Sequence, residues 1–284
     1  MTTRRKFLSS LSLAGAALAV SPNLVYGATS VNKLRNIGYI GGILGNNFSE
    51  DKGNWKELLK ETVEYGFSEF EGGYLGDSPK VFMDYCKSIG LKPIAGGIGI
   101  TDDMNKIKES FDKANALNTK YIVTYWPWFV GPPFSLDDCK RSTEWLNKTG
   151  ELAKENGLQL CWHNHDKEFH EMEEGLPFDY LMEHTDKNLV SCEMDIYWVA
   201  KGGADPVKVL KKYEGRFPLM HVKDMAEGAE QSITCPGSGI IDFPSIFAEA
   251  KRQGLKHYFV ERDKAVDGLA CLKSSGEYLQ NLRF

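Results

Sequence analysis

The feature that most constrains the fold is a regular alternation of short apolar runs with segments of helical period. An apolar or β-branched run followed by a helical pattern is typical of a strand that leads into a helix. Eight such pairs follow one another along the chain, and this alternation predicts parallel strands joined by helices. The predicted strands are residues 37–40, 67–71, 93–100, 121–126, 159–165, 189–195, 219–224 and 258–263.

The helical segments between these runs end and begin at residues that favour helix termini. Gly66 and Gly254 each follow a helical pattern and precede a strand, where a left-handed residue is favoured. Pro206 and Pro244 occupy early helical positions, where proline is common. The predicted helices are residues 55–65, 79–89, 103–117, 136–156, 178–184, 206–213, 244–253 and 266–282.

The number of units decides between two α/β folds. Eight strand–helix units in about 255 residues match the count and size of a (β/α)8 barrel. An open, doubly wound sheet is the competing fold, but no GxGxxG motif follows the first predicted strand. We therefore predict a single α/β domain, a (β/α)8 TIM barrel, over residues 28–284.

The amino terminus has the layout of an export signal. Arg4 and Arg5 precede an apolar stretch over residues 11–20, and small residues follow near Gly27. This pattern predicts a twin-arginine export signal over residues 1–27 and a periplasmic location. The stretch is short for a membrane span, and an amphipathic helix or a retained anchor is the alternative. The pattern resembles a route that exports folded, cofactor-loaded proteins, which favours a metal site.

Charge and cysteine content exclude some partners and leave other questions open. The net charge is −5 with no basic stripe, which argues against a nucleic-acid partner. Six cysteines occur without a CxxC motif, so disulfide pairing stays open. Cys161 and Cys192 lie within predicted strands and are interpreted as buried thiols.

Ionisable side chains gather at the ends of the last four predicted strands. In a barrel, the carboxyl ends of the strands meet at one mouth, and residues two apart share a face. Burying so many ionisable groups together is costly unless a divalent cation compensates their charge. Imidazole and carboxylate ligands suit manganese, zinc, cobalt or iron. The four same-face pairs are His163 with His165, Glu193 with Asp195, His221 with Lys223, and Glu261 with Asp263.

These stretches resemble the xylose isomerase-like barrel superfamily of sugar phosphate isomerases and epimerases. Relatives in that superfamily include inosose dehydratase, ketohexose 3-epimerases and endonuclease IV. The resemblance lies mainly in the second half of the chain. The matching stretches are WHNHD at 162–166, EMDIYW at 193–198, GR at 215–216 leading to HVKD at 221–224, GSG at 237–239 with DF at 242–243, and VE at 260–261.

The resemblance implies one divalent metal, held in the family by Glu, Asp, His and Glu from strands five to eight. The last three positions correspond to Asp195, His221 and Glu261. Strand five departs from the pattern, because His163 stands where relatives have a glutamate, with His165 two residues on. Either histidine can be the fourth ligand. The epimerases use the missing glutamate as half of an acid/base pair, so the departure puts plain 3-epimerase activity in doubt.

Other groups must then move the proton. The candidates are Lys223, His165 and Glu193. Lys223 is expected to lie beside the metal, which would depress its pKa. The alternative is that Lys223 forms a fixed ion pair with Glu193 or Glu261 and only holds substrate hydroxyls.

The site predicted in this way supports three outcomes. A divalent cation stabilises the enediolate left when a proton is removed next to a carbonyl. Return of the proton gives isomerisation or epimerisation, whereas loss of a β-leaving group gives dehydration or glycoside cleavage. Aromatic residues near the mouth fit a sugar or glycoside, and no phosphate-binding loop is present. The predicted substrate-binding residues are Glu71, Trp126, Tyr197 and Trp198, and for Glu71 a structural ion pair is the alternative.

Three hypotheses follow for the activity. The first is an exported, metal-dependent sugar isomerase or epimerase. The second is a lyase or hydratase acting on a keto-sugar or a 3-keto-glycoside. The third is a non-catalytic carbohydrate-binding barrel. The sequence does not predict the oligomeric state.

Overall fold

A computed structural model describes residues 32–284, which form a closed barrel of eight parallel strands. The barrel order is β1-β10-β7-β6-β5-β4-β3-β2, so each strand pairs with its neighbour in sequence and the last barrel strand closes on the first. The barrel strands are β1 (Ile37–Ile40), β2 (Phe67–Glu71), β3 (Lys92–Gly97), β4 (Tyr121–Thr124), β5 (Gln159–His163), β6 (Val190–Asp195), β7 (Leu219–Val222) and β10 (His257–Val260).

Nine helices are described, and most of them connect consecutive strands around the outside. Side chains cap the amino termini of several helices. Ser78 caps the helix that begins at Pro79, and Ser135 with Asp138 forms a capping box on the helix that begins at Leu136. The helices are α1 (Trp55–Glu64), α2 (Pro79–Ile89), α3 (Met104–Ala116), α4 (Leu136–Glu155), α5 (Pro177–His184), α6 (Ile196–Lys201), α7 (Pro206–Lys212), α8 (Phe243–Arg252) and α9 (Gly268–Asn281).

The core has two layers because strand residues alternate in direction. A small inner cluster fills the barrel and includes Ile94, Val123 and Phe259. A larger outer cluster packs the other strand faces against the helices, with Ile122 and Val222 among its fully buried members. The inner cluster fills the interior of the barrel with apolar side chains. The ionisable residues of the last four strands therefore lie at the carboxyl end of the barrel.

The predicted single (β/α)8 barrel is confirmed, and the strand bounds differ mainly at their carboxyl ends. The predicted strands 121–126, 159–165 and 258–263 run past the observed ones, which end at Thr124, His163 and Val260. The extra residues are mostly polar or aromatic and line the loops of the mouth. They continue the alternating pattern of the strand beyond the observed ladder, so the sequence pattern overestimates strand length.

The sequence analysis did not predict helix α6, a short ribbon, or two short 3₁₀ helices at Gly41–Asn47 and Lys167–Phe169. Helix α6 begins at Ile196, directly after β6, without an intervening turn signal. Residues 224–225 and 233–234 form a short antiparallel ribbon, β8 (Asp224–Met225) with β9 (Ile233–Thr234), in the loop after β7.

The signal prediction for residues 1–27 lies outside the described residues. Within residues 32–284, no helix combines the length and the apolar character needed to cross a bilayer.

The cysteines divide into buried thiols and one disulfide. Cys161 and Cys192 are buried and free, as predicted. Cys235 and Cys271 form a disulfide across 36 residues of sequence, with their Cα atoms 5.6 Å apart. This bond fastens the loop after β9 to α9.

We expect this disulfide to stabilise the barrel by about 3–4 kcal/mol, because it closes a long loop of the unfolded chain. A reductant should lower the melting temperature of the native protein by about 10 °C. The Cys235→Ser/Cys271→Ser double variant is the control, since its melting temperature should not respond to the reductant. The expectation would be contradicted if the native protein had the same melting temperature with and without reductant.

Candidate functional site

Four side chains from successive strand ends converge at the mouth of the barrel. One ligand atom from each of His163, Asp195, His221 and Glu261 lies within 4.8 Å of the others. His221 Nδ1 lies 2.6 Å from Glu261 Oε2, and His163 Nε2 lies 3.6 Å from Asp195 Oδ2. The structure thus brings His163, and not His165, to the three residues implied by the family pattern. We call these four residues the metal set.

The backbone around β5 and β6 fixes two members of the metal set. Asp195 ends β6 and caps α6, because its Oδ1 accepts the Trp198 N–H at 2.9 Å. Asn164 Oδ1 accepts the Asp195 N–H at 3.0 Å and ties β6 to the end of β5. With Oδ1 held by the helix cap, Asp195 Oδ2 is the oxygen that lies beside His163 and Lys223.

The metal set fits a divalent cation. Asp195 Oδ2 and His221 Nδ1 are buried, and their contacts with Lys223 and Glu261 lack hydrogen-bond alignment. Metal–ligand bonds near 2 Å place the ligand atoms of a tetrahedral site about 3.3 Å apart, so the set, within 4.8 Å, must contract to close around one ion. Two imidazoles with two carboxylates are a donor set for zinc, manganese, cobalt or iron.

A second tier of carboxylates lies beneath the two histidines. Glu193 Oε2 is 3.3 Å from His163 Nδ1 and 3.2 Å from His221 Nε2. Glu71 Oε2 is 3.1 Å from the same Nε2 atom of His221. A carboxylate on the inner ring nitrogen fixes the tautomer and points the other nitrogen at a metal.

This placement argues against the predicted proton-transfer role of Glu193. Glu193 is two residues deeper than Asp195 on β6, about 6 Å further from the mouth, and is fully buried. Burial, and then the neighbouring Glu71 carboxylate, raises the pKa of Glu193 well above its usual value. Glu193 therefore positions the two histidines and does not face the mouth.

Burial and charge act in opposite directions on the two histidines. Burial and the nearby His221 hold the pKa of His163 well below its usual value, which favours the neutral ring that binds metals. Burial alone would lower the pKa of His221 too, but Glu193, Glu71 and Glu261 outweigh it and raise that pKa. The carboxylates that attract a proton to His221 are the charges that would hold a cation.

Tyr125 is a site residue that the sequence analysis missed. Its hydroxyl donates to Glu71 Oε1 at 2.5 Å, and its ring stacks near His221 at a centroid distance of 6.2 Å. The predicted role of Glu71 in binding substrate thus changes, because Tyr125 and His221 already occupy its two oxygens. Tyr125 follows β4 directly, but the sequence pattern placed it inside the predicted strand 121–126, so nothing marked it as a site residue.

Lys223 pairs with Glu261, one of the two partners of the alternative interpretation, and with Asp195 and Asp263 in place of Glu193. Its ammonium lies 2.9 Å from Asp195 Oδ2 and 3.0 Å from both Glu261 Oε2 and Asp263 Oδ2. Burial by itself lowers the pKa of Lys223, but these three carboxylates outweigh burial and raise it well above its ordinary value. These three anions keep Lys223 a charged ammonium, and the expected depression of its pKa, which depends on a cation beside it, stays a prediction.

His165 lies above the metal set, at the mouth. Its ring centroid is 5.0 Å from that of His163, 5.3 Å from Trp126 and 5.5 Å from Trp198. Its Nδ1 is buried and has no partner among the described residues. Burial, and then the Lys223 charge, lowers the pKa of His165 to about 4, so the ring is neutral near pH 7.

The two predicted aromatic residues on α6 lie in different environments. Trp198 is half-buried, and the Lys223 ammonium lies 5.4 Å from its ring. Tyr197 is only 3% exposed, and its hydroxyl donates to the Gln231 carbonyl at 2.8 Å. The predicted substrate contact of Tyr197 is not supported, because the first turn of α6 directs its side chain to the loop after β8.

Asp224 explains the glycine motif that follows β7. Its buried carboxylate accepts the backbone N–H groups of Met225, Gly237, Gly239 and Ile241 at 2.8 to 3.2 Å. A Cβ at Gly239 would collide with the Met225 carbonyl and the Asp224 carboxylate, so the motif needs glycine there. The loop next to Lys223 is therefore folded around one buried anion.

Glu168 joins the loops after β4 and β5. It is fully buried, and it accepts the Trp128 Nε1–H at 2.7 Å and the His165 backbone N–H at 2.9 Å. Burial raises the pKa of Glu168 to about 7, against the opposing effect of these hydrogen bonds. Glu168 thus positions the segment that carries His165.

The raised pKa of Glu168 predicts a pH-dependent stability. Between pH 4.5 and pH 7 the folded protein keeps the Glu168 proton that the unfolded chain loses, so the free energy of unfolding falls as pH rises. The loss is about 3 kcal/mol by pH 8. Glu168→Gln should therefore gain about that much relative to the native protein between pH 5 and pH 8 in urea unfolding. The control is Glu144→Gln, at an exposed site; native-like pH dependence of Glu168→Gln would contradict the assignment.

Comparisons with known proteins agree with this barrel. Residues 54–277 match the model of the xylose isomerase-like TIM barrel family. Inosose dehydratase of Clostridium perfringens (strain 13 / Type A) is 26% identical over 267 residues, which cover 83% of this chain and 82% of that protein.

Solved structures give the same result. A sugar phosphate isomerase/epimerase from Parabacteroides distasonis superposes with a TM-score of 0.71 at 26% identity, over 94% of this chain and 98% of that one. The IolI protein, crystallised with a zinc atom, has a TM-score of 0.69 over 86% of this chain and 96% of its own, and its 15% identity shows a shared fold alone. With the closed eight-stranded barrel and a family match over most of its length, this chain belongs to the xylose isomerase-like TIM barrel family.

Proposed function

We propose that this protein is a divalent-metal-dependent sugar isomerase or epimerase that removes a proton next to a carbonyl group. The observation that carries the proposal is the convergence of His163, Asp195, His221 and Glu261 at the carboxyl ends of the strands. The relatives support an enzyme that acts on sugar-like molecules, because they are named as sugar phosphate isomerase/epimerase and inosose dehydratase.

The metal set would hold the cation through His163 Nε2, His221 Nδ1 and the carboxylates of Asp195 and Glu261. A divalent cation there supplies polarisation of a carbonyl and its neighbouring hydroxyl, which makes the adjacent C–H acidic. Glu193 and Glu71 keep both imidazoles oriented from below.

Two groups of this chain lie next to the metal set and can handle the proton. Lys223, held as an ammonium between three carboxylates, can donate a hydrogen bond or a proton to a substrate oxygen. His165, a neutral ring with an unpartnered Nδ1, can accept a proton from the carbon acid or from a hydroxyl. The depth of Glu193 below the metal set argues against its taking part in this step.

A lyase is the second candidate, and His163 is the observation that favours it. The glutamate that serves as one of the two proton carriers in the epimerases is absent from strand five, so a symmetric two-glutamate exchange is not available. Elimination of water or an alcohol needs one base next to the carbonyl and one acid at the leaving group. A neutral His165 and a charged Lys223 provide that pair of roles. The likeness to inosose dehydratase supports this alternative.

Solvent-deuterium exchange tests the function and separates the two candidates. The metal-loaded protein is incubated in heavy water with D-fructose and with methyl 3-keto-β-D-glucopyranoside. Deuterium incorporation without bond cleavage identifies an isomerase or epimerase, and release of methanol or water identifies a lyase. No exchange and no product with these probes or with inosose would contradict the proposed chemistry.

The same assay assigns Lys223. Lys223→Met keeps much of the stem and removes the ammonium, so exchange should collapse while metal content is preserved if Lys223 moves the proton. Exchange preserved at saturation, with weaker binding, would make Lys223 a residue that only binds substrate and leave the proton to His165.

Metal analysis tests the metal set without any substrate. His221→Ala should lose most of the bound zinc or manganese measured by mass spectrometry, and with it the stabilisation that metal gives the native protein, about 3 kcal/mol at a hundredfold excess over Kd. Glu193→Gln should weaken metal binding about 10- to 100-fold. His184→Ala, on an exposed helix end, is the control. Native metal content in His221→Ala would refute the site and favour the non-catalytic barrel.

We further propose that the protein is exported by the twin-arginine route and works in the periplasm. The arginine pair at positions 4 and 5 motivates this proposal, and the Cys235–Cys271 disulfide supports an oxidising compartment. Replacing Arg4 and Arg5 by lysine should leave the protein in the cytoplasm, as measured by cell fractionation. Export unchanged in that variant would contradict the proposal.

A further inference from the structure

Trp126 is presented to solvent in a fixed position. All six tryptophans lie within residues 32–284, and Trp126 is the exposed one, with 36% of its surface accessible. Its indole N–H donates to the Val130 carbonyl, and its ring packs on Phe134 at a centroid distance of 5.9 Å. Val130 and Phe134 thus hold the ring in place while about a third of its surface stays open to solvent.

The Trp126 ring lies outside the metal set, on the far side of His165. The His165 ring is 5.0 Å from His163, which belongs to the metal set, and Trp126 is 5.3 Å from His165 on the mouth side. A sugar whose carbonyl reaches the metal set therefore covers His165, and a group attached to that sugar reaches Trp126.

The chemistry of the loop restricts what can lie there. Residues 126–134 have the sequence WPWFVGPPF, which contains no ionisable side chain. The one polar atom of the Trp126 ring is already bonded to Val130, so its free surface offers only an aromatic face. Such a face binds the C–H face of a sugar or another flat apolar ring, and it offers nothing to a phosphate.

We propose that Trp126 forms a second subsite, which takes an uncharged ring linked to the reacting sugar, so that the substrates are glycosides larger than a monosaccharide. This inference rests on the proposed function, because it assumes that the reacting sugar lies on the metal set. His165 lies between the two subsites, next to Trp126 on one side and His163 on the other.

Two probes that differ only in the attached group test the subsite. They are methyl and phenyl 3-keto-β-D-glucopyranoside, and their affinities for the metal-loaded protein are measured by calorimetry. The phenyl glycoside should bind about tenfold more tightly than the methyl glycoside. Trp126→Ala should reduce this advantage to less than about twofold, because the variant removes the aromatic face that the phenyl group would contact. The matched control is Tyr74→Ala, an exposed aromatic residue on the loop after β2, which should keep the tenfold advantage.

The outcomes separate this inference from the proposed function. Equal affinities for the two probes would overturn the subsite, even if deuterium exchange occurs. A Trp126-dependent advantage without exchange on any sugar would overturn the proposed chemistry and keep the subsite. A change in molar mass of Trp126→Ala by light scattering would assign the exposed ring to a contact between copies and overturn the subsite.

Discussion

Negative charge confined at the mouth of the barrel is the constraint on which the site depends. Glu71, Glu193 and Asp195 are fully buried, Glu261 joins them, and Lys223 is the buried ammonium among them. Buried carboxylates are costly unless cations or hydrogen bonds compensate them. Each carboxylate lies against an imidazole, a phenol or the ammonium, and these contacts offset part of the cost. A divalent cation would complete the compensation where Asp195 Oδ2 and His221 Nδ1 lack aligned partners.

Carboxylates at two depths of the barrel mouth have different roles. Glu193 and Asp195 are two residues apart on the same face of β6, yet one contacts the inner nitrogens of the histidines and the other lies with the metal set. The depth of a side chain along the strand decides between positioning and coordination. Burial also raises the pKa of both carboxyls, and for Asp195 the Lys223 charge opposes that effect.

The walls of the mouth are built independently of any cation. Asp224 organises the loop after β7 through four backbone hydrogen bonds, and the disulfide ties that region to α9. Glu168 ties the loop that carries His165 to the aromatic loop that carries Trp126 and Trp128. These fixed loops keep His165 and Trp126 in place above the metal set. The shape of the substrate space therefore does not depend on a bound metal.

The sequence by itself determined the barrel and the chemical character of its mouth, because alternation of strands with helices and the period of two along each strand are local properties. It placed His163, Asp195, His221 and Glu261 on inward faces at one end, and it identified Cys161 and Cys192 as buried thiols. Only the tertiary structure decided which of these side chains meet. Residues far apart in sequence meet in four places: Glu193 with the two histidines, Tyr125 with Glu71, Lys223 with three carboxylates, and Cys235 with Cys271. Such contacts depend on the stagger between neighbouring strands and on loop conformation, and neither is encoded in a local pattern.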